Sequence, residues 1–394
     1  MEYFFILGSN PALSIAELLA VFSPASSKKI VGENALILDI NEDIFPLELI
    51  KKLGGTIKIG ILKDEVKTNN KEELLAKIIK FIDIKKISGK FNYGISYYGN
   101  NQYNLKPLAM AIKKYLRRRE INSRWVSSSE PVLSSVVVEQ NKLVVKGMEV
   151  VILKNNQNNF LLGQTLTVQP FKELSFRDYG RPKRDDRSGM IPPKLAQIMI
   201  NLSKSKITDK ILDPFCGSGT IITEAMLMGY KDIIGSDISE KAVHDTKENI
   251  EWMKDNYQLK ITNFKLLNKS VFKLSKFIKP NSVKAIITEP YLGPQRGSFD
   301  VLKIIKDLED QYAKSLHEFK KIIKEDGRVV MVWPVFNITQ NMKYINPKLN
   351  EFRIVNPISS DWRSHRIIKL TNRNTIIYGR PGQKIWREIV ILKK

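Results

Sequence analysis

Residues 210–238, KILDPFCGSGTIITEAMLMGYKDIIGSDI, constrain the fold more than any other stretch. A short apolar run ends in Asp213, a Gly-x-Gly turn follows, then a helical apolar pattern, then a second apolar run ending in Asp237. Gly217 and Gly219 allow a sharp turn and close approach of backbone to a ligand. The loop has no Gly-Lys-Ser/Thr ending, so it is not a Walker phosphate loop. It also lacks the third glycine of the full dinucleotide fingerprint, and a lone Gly-x-Gly is a weak signal. Asp237 strengthens it, because an acid at the tip of the next strand can accept hydrogen bonds from both hydroxyls of a ribose. Strand, glycine loop, helix and acid-tipped strand together predict an adenosyl-binding site in preference to a structural turn. Cys216 lies in this loop with no histidine near in sequence, and reads as a small turn residue and not a nucleophile.

The alternation continues to the C-terminus. KLLNKSV, VKAIIT and GRVVMVW read as strands, separated by helical patterns EKAVHDTKENIEWMKDN and VLKIIKDLEDQYAKSLHEFKKII. This spacing predicts an α/β fold with a mostly parallel sheet covered on both faces. NTIIYGR and KIWREIVIL flank PGQ as an antiparallel hairpin, expected at the sheet edge.

The first half reads as smaller α+β modules. YFFILG and NALILDI are strand-like, SIAELLAVF is helical with Ser14 as its cap and Glu17 three residues on, and PLELIKKLGG is a helix closed by glycines. KEELLAKIIKFI and KPLAMAIKKYLRRREI are amphipathic helices, the second with a basic face beside Arg124 and Trp125. FNYGISYYG, RWVSS, SSVVVEQ, KLVVKGMEVVILK and FLLGQTLTV read as strands. Residues 171–203 are dense in Arg, Asp, Gly and Pro, predicting an irregular linker that ends in a helix near Pro192 and lines a site. The domain expectation is 1–62, 63–165, a linker at 166–190, and 191–394.

The 394 residues carry 64 Lys and Arg against 41 Asp and Glu, a formal net charge of +23. Such a charge attracts polyanions, although a Lys-rich composition also inflates it. The single cysteine rules out an internal disulfide framework and fits a reducing cytoplasm. With three histidines far apart, a Cys/His zinc site is not expected, nor any other metal. No apolar run is long enough to span a bilayer, and MEYFFILGSN reads as a first strand and not a signal peptide.

AIITEPYLGP, residues 285–294, ends a buried strand in a carboxylate, a proline and an aromatic ring. With Asp-Pro-Phe-x-Gly-x-Gly-Thr at 213–220, this tip resembles S-adenosylmethionine-dependent methyltransferases that act on exocyclic amino groups of bases. Their fourth-strand motif is Asp, Asn or Ser, then Pro-Pro, then Tyr, Phe or Trp. The chemistry needs acceptors on both amine hydrogens, because the lone pair must leave conjugation with the ring before it attacks a methyl group. Proline fixes a carbonyl direction, and the aromatic ring stacks on a flipped-out base.

The first half is similar to the N-terminal and THUMP modules of tRNA methyltransferases. The stretch FRDYGRPKRDDRSGMIPPKLAQIMINLS before DPFCGSGT resembles enzymes that methylate the 2-amino group of guanosine 10 in tRNA. The resemblance implies a Rossmann-like methyltransferase domain preceded by N-terminal ferredoxin-like and THUMP modules, with S-adenosyl-L-methionine as cofactor and tRNA as partner. It implies cofactor contacts from Asp213, Phe215, Gly217, Ser218, Gly219, Thr220, Asp237, Ile238 and Ser270. Catalytic roles fall on Thr288, Glu289, Pro290 and Tyr291, and Arg177, Asp178 and Arg181 are expected at the entrance. Some relatives need a small activating partner.

Two positions depart from the family pattern. Thr288 and Glu289 stand where the acid or amide and the first proline are expected. Either Thr288 is the acceptor, or Glu289 is and the motif is shifted by one; the ionised carboxylate is the stronger acceptor and favours Glu289. A decayed, inactive motif is the opposing reading. Ser270 stands where relatives often carry an acid for the adenine amino group. Alternative functions are DNA adenine N6-methylation and a non-catalytic tRNA-binding protein that keeps the cofactor fold.

Overall fold

Alternating apolar residues in the first half assemble into one eight-stranded sheet. The computed structural model describes the chain except residues 23–26, 68–70, 83–86, 88, 100–102, 156–158, 186–188, 260–262, 295, 296, 298, 339 and 340. It divides into two compact units: Met1–Pro11, Pro24–Lys51 and Gly55–Phe171; and Ala12–Ser23, Lys52–Gly54 and Lys172–Lys394. Asp186, Arg187 and Ser188 of the expected linker lie outside the described residues.

The first unit holds strands β1 (Glu2–Leu7), β2 (Ser27–Val31), β3 (Ala35–Asp39), β4 (Thr56–Val66), β5 (Phe91–Tyr98), β6 (Ser123–Val126), β7 (Gly147–Lys154) and β8 (Phe160–Val168), in spatial order β2-β3-β1-β4-β8-β7-β5-β6. Strand β4 pairs with β1 (Tyr3 opposite Ile61) and with β8 (Val66 opposite Phe160). The expected boundary between residues 62 and 63 therefore falls inside one long strand, because pairing with β8 alone carries β4 past Ile61, where the β1 pairing ends, and through the charged LKDE stretch.

Helix α1 (Pro11–Val21) belongs mainly to the second unit. It begins at Pro11, so Ser14 is not its cap: Ser14 and Glu17 are buried inside it. Glu17 Oε1 instead accepts from Gly54 N at 2.9 Å and Asn201 Nδ2 at 2.8 Å. The predicted helix at 46–55 is one turn, α2 (Pro46–Leu49), extended by a 3₁₀ turn at Ile50–Lys52. Helices α3 (Lys71–Phe81) and α4 (Lys106–Arg117) contribute to the first unit's core. On α4 the i, i+4 positions Leu108, Ile112 and Leu116 are buried, while Lys113, Lys114 and Arg117 are exposed, which is the expected basic face. SSVVVEQ, expected as a strand, is helix α5 (Ser135–Gln140), capped by Ser134, whose hydroxyl accepts from Val137 N at 3.3 Å. A local cap and one buried contact, Val138, outweigh the β-propensity of three valines.

The second unit carries α6 (Phe171–Tyr179), α7 (Pro193–Leu202), β9 (Lys210–Asp213), α8 (Thr220–Leu227), β10 (Asp232–Asp237), α9 (Glu240–Tyr257), β11 (Asn263–Asn268), β12 (Val283–Thr288), α10 (Val301–Ile322), β13 (Ile323–Ile338), β14 (Asn341–Tyr344), β15 (Arg353–Ile354), β16 (Ile376–Tyr378) and β17 (Ile385–Lys393). The sheet runs β11-β10-β9-β12-β13-β17-β15, with β14 on β13 and β16 on β17. The first five strands are parallel, and β17 is antiparallel to β13. The predicted hairpin forms as β16–β17, but β17 lies inside the sheet, because nine of its residues pair with the apolar β13. The order reverses between β9 and β12, the switch point where open α/β sheets bind ligands at the carboxyl ends of their strands. The linker expectation is corrected at α6, which buries Leu174 and Arg177, the latter paired with Glu224 of α8. No helix among the described residues is long and apolar enough to cross a membrane.

Candidate active site

The glycine loop between β9 and α8 is shaped by two left-handed glycines, Gly217 at φ +52° and Gly219 at φ +86°. A Cβ on Gly219 would lie 2.8 Å from Thr246 Cγ2, so this position requires glycine twice over. Helix α9 grips the turn: Thr246 Oγ1 donates to Gly217 O at 2.7 Å and Asn249 Nδ2 to Ser218 O at 2.7 Å. Cys216 is buried, and burial, followed by the nearby Asp213 and Asp237 charges, pushes its thiol well up, so it holds no nucleophilic thiolate.

Asp213, at the tip of β9, is fully buried. Burial raises its carboxyl to about 7; the Thr288 hydroxyl and Phe215 N–H oppose the shift, and the charges of Asp237 and Glu289 reinforce it. Thr288 Oγ1 donates to Asp213 Oδ1 at 2.7 Å. At the tip of β10, Asp237 accepts from Gly217 N at 3.0 Å and Ser239 N at 2.9 Å. A carboxylate has about four lone-pair positions, so two remain for a ligand.

Both strand tips open on a cavity of about 660 Å³. Of the expected cofactor residues, Asp213, Phe215, Gly217, Ser218, Thr220, Asp237, Ile238 and Ser270 line it; Gly219 does not, and serves the turn. Glu289, Pro290 and Tyr291 line the same cavity, and the fully buried Thr288 does not. Tyr291 is 58% and Ile238 76% exposed, so the cavity offers bare apolar surface. The Tyr291 carbonyl is fixed by the buried Tyr312 hydroxyl at 2.9 Å. Ser270 Oγ accepts from Phe272 N at 3.4 Å, capping a 3₁₀ turn.

Arg177 and Arg181 do not line the cavity. Arg177 Nε donates to the buried Glu224 Oε1 on α8 at 2.6 Å, and Arg181 Nη1 to Thr220 Oγ1 at 2.5 Å. Buried acceptors on α8 draw both guanidinium groups inward, where they brace the helix. Asp178 is half-buried and likewise absent from the lining. The same segment lines the cavity further along, through Asp185, Gly189, Met190 and Ile191. Its Arg-Asp-Gly-Pro density was the available signal.

Arg387 of β17 carried no sequence signal. Its Nε donates to Glu289 Oε1 at 2.5 Å and its Nη2 to Oε2 at 3.3 Å. Burial works against the charge on Arg387, and the Glu289 carboxylate outweighs it, so its guanidinium is held above the usual range.

These residues fit S-adenosyl-L-methionine. Nothing lies within 4 Å of where a Gly217 Cβ would stand, Asp237 keeps free acceptor positions, and Ile238 and Phe272 present apolar surface.

A family model described as an RMKL-like methyltransferase domain matches residues 181–343, and one described as a DNA methylase matches residues 67–248. A tRNA (guanine(10)-N2)-dimethyltransferase of Methanothermobacter thermautotrophicus is 34% identical over 146 residues, covering 37% of this chain and 39% of that protein. A Methanothermococcus thermolithotrophicus protein named "Probable tRNA (guanine(10)-N2)-dimethyltransferase" is 31% identical over 141 residues, 35% of this chain and 77% of its own. The crystal structure of TrmN from Thermus thermophilus superposes with a TM-score of 0.55 at 16% identity, covering 100% of both chains. The first three curated relatives are matched over only 39%, 48% and 46% of their length.

Sheet order, glycine loop and two acid-bearing strand tips on one cavity define a Rossmann-like methyltransferase. The chain belongs to the tRNA (guanine(10)-N2)-dimethyltransferase family.

Proposed function

We propose that the protein methylates the exocyclic 2-amino group of guanosine 10 in tRNA, with S-adenosyl-L-methionine as methyl donor. The observation that carries this reading is the opening of Glu289-Pro290-Tyr291 onto the cavity that also holds the glycine loop and Asp237. The cofactor supplies an electrophilic methyl group on a sulfonium. Asp237 holds the ribose hydroxyls through its remaining lone pairs, and the glycine loop leaves room for the amino-acid part. Glu289 accepts a hydrogen bond from the target amine, which favours a tetrahedral nitrogen, and it stabilises the positive charge that develops there. A main-chain carbonyl at the Pro290 turn takes the second amine hydrogen. The exposed Tyr291 ring stacks on the base.

The basic face of α4 supports tRNA binding through phosphates, with residues 63–165 in the THUMP role. The DNA methylase match keeps adenine N6-methylation in view, and the tRNA-methyltransferase names of the relatives favour RNA. The test is transfer of labelled methyl to tRNA transcripts, with duplex DNA as competitor. Signal that persists when guanosine 10 is replaced sinks the positional assignment. Cofactor binding by calorimetry with no turnover on any nucleic acid supports the non-catalytic reading.

A further inference from the structure

On the reading that Glu289 is the amine acceptor, the motif is displaced by one residue in this chain, and something must hold the displaced group. An aspartate at position 288 would sit on the rigid strand tip. Glu289 lies beyond the strand end and has a longer, more flexible side chain. The geometry points to Arg387 as the positioning residue for Glu289, fixing its carboxylate in the cavity for the target amine. This rests on the reading of Glu289 given above.

Three observations carry the assignment. First, the contact is two-pronged: Arg387 Nε to Glu289 Oε1 at 2.5 Å and Nη2 to Oε2 at 3.3 Å. A fork-on-carboxylate contact fixes the plane of the carboxylate, which a single bond does not. It occupies one lone-pair position on each oxygen and leaves another on each for substrate. Second, the pair is about nine-tenths buried, with side chains 12% and 10% exposed, so water does little to reorient it. Third, Arg387 Nη2 also reaches Met190 O at 3.4 Å. Met190 is itself a cavity wall, and its sulfur accepts from Arg181 Nη2 at 2.9 Å and Asp185 N at 3.2 Å. One guanidinium thus ties the catalytic strand tip to the segment opposite it.

Strand alternation explains why position 387 does this. Glu388, its neighbour on β17, is fully buried and engages Arg373 and Thr375 on the other side of the strand. Arg387, opposite Pro334 on β13, points to the side that bears Glu289.

The experiment compares full-length wild type with Arg387→Ala, Arg387→Lys, Glu289→Gln and the Arg387→Ala/Glu289→Gln double variant. Expected for Arg387→Ala is a loss of kcat of about 10²-fold, the scale of a group misplaced by about 1 Å, with cofactor affinity changed only a few-fold. Guanidinium ion added to Arg387→Ala should restore part of kcat, and Arg387→Lys should fall between. In the Glu289→Gln background the Arg387→Ala change should cost little more, because the two act as one unit. A crystal structure of Arg387→Ala gives a readout independent of turnover: the Glu289 carboxylate should leave its place. The inference is overturned by an unmoved carboxylate, by unchanged kcat, or by losses that add fully and resist guanidinium. If wild type turns over RNA at another nucleotide, the target assignment fails while the Arg387–Glu289 coupling still decides this one.

Discussion

The Thr288 hydroxyl donates to the buried Asp213 carboxyl across 2.7 Å. Thr288 is thereby committed to the core, and the carboxylate on the cavity belongs to its neighbour, Glu289. This relationship sets the contrast between the first two predictions.

Glu289→Gln keeps the shape and removes the charge. Turnover should fall about 10²- to 10³-fold, the loss found when one preorganised stabilising group is removed. Cofactor affinity by calorimetry should stay within a few-fold. Near-normal turnover in this variant would sink the Glu289 assignment.

Thr288→Val should act on stability more than on chemistry. It strips the buried Asp213 of a donor, at a cost of roughly 1–3 kcal/mol, read as a shift of the denaturant midpoint. If Thr288→Val abolishes turnover while Glu289→Gln spares it, the acceptor is Thr288.

Asp213 makes the fold pH-dependent in a particular direction. Its folded pKa, about 7, lies above the ordinary 3.8. Between those values the native state keeps a proton that the unfolded chain has lost, so stability from this group is full below about 4 and falls as pH rises towards 7. Denaturation of wild type against Asp213→Asn across that range should show the slope vanish in the variant. A cation in the cavity favours the ionised acid, so S-adenosylmethionine should bind more tightly at pH 8 than at pH 6, and neutral S-adenosylhomocysteine should gain less.

Gly219→Ala combines a left-handed φ of +86° with a Cβ 2.8 Å from Thr246 Cγ2. The strain should cost roughly 1–3 kcal/mol and weaken cofactor binding. Unaltered cofactor affinity would mean the loop tolerates a different shape.

Charge reversal at Lys113, Lys114 and Arg117, all exposed on α4, tests the RNA face. KM for tRNA should rise, and the salt dependence of binding should flatten, with kcat on saturating tRNA little changed. An identical salt slope would remove α4 from the RNA contact.

Much of the second unit is legible in its residues, because helix and strand periods and glycine turns are local properties. The strand–loop–helix unit from Lys210, its acid tips and the β16–β17 hairpin follow from spacing alone. Local reading failed where a long-range contact overrode it. Strand β4 continues through LKDE because β8 pairs with it there. SVVVEQ turns helical for a local reason, the Ser134 cap, which outweighs the β-propensity of its valines.

What the sequence determined by itself is the glycine loop after β9 and the Thr288-Glu289-Pro290-Tyr291 tip of β12, both written in contiguous residues. Only the tertiary structure decided how the acids are used. The Asp213 carboxyl is raised to about 7 because folding buries it, even though the Thr288 hydroxyl donates to it and opposes the shift. Glu289 meets a guanidinium 98 residues away because β17 runs inside the sheet beside β13. Arg177 and Arg181 turn inward because α8 offers them buried acceptors. Burial and ion pairing depend on which strands and helices become neighbours, and no local pattern encodes that.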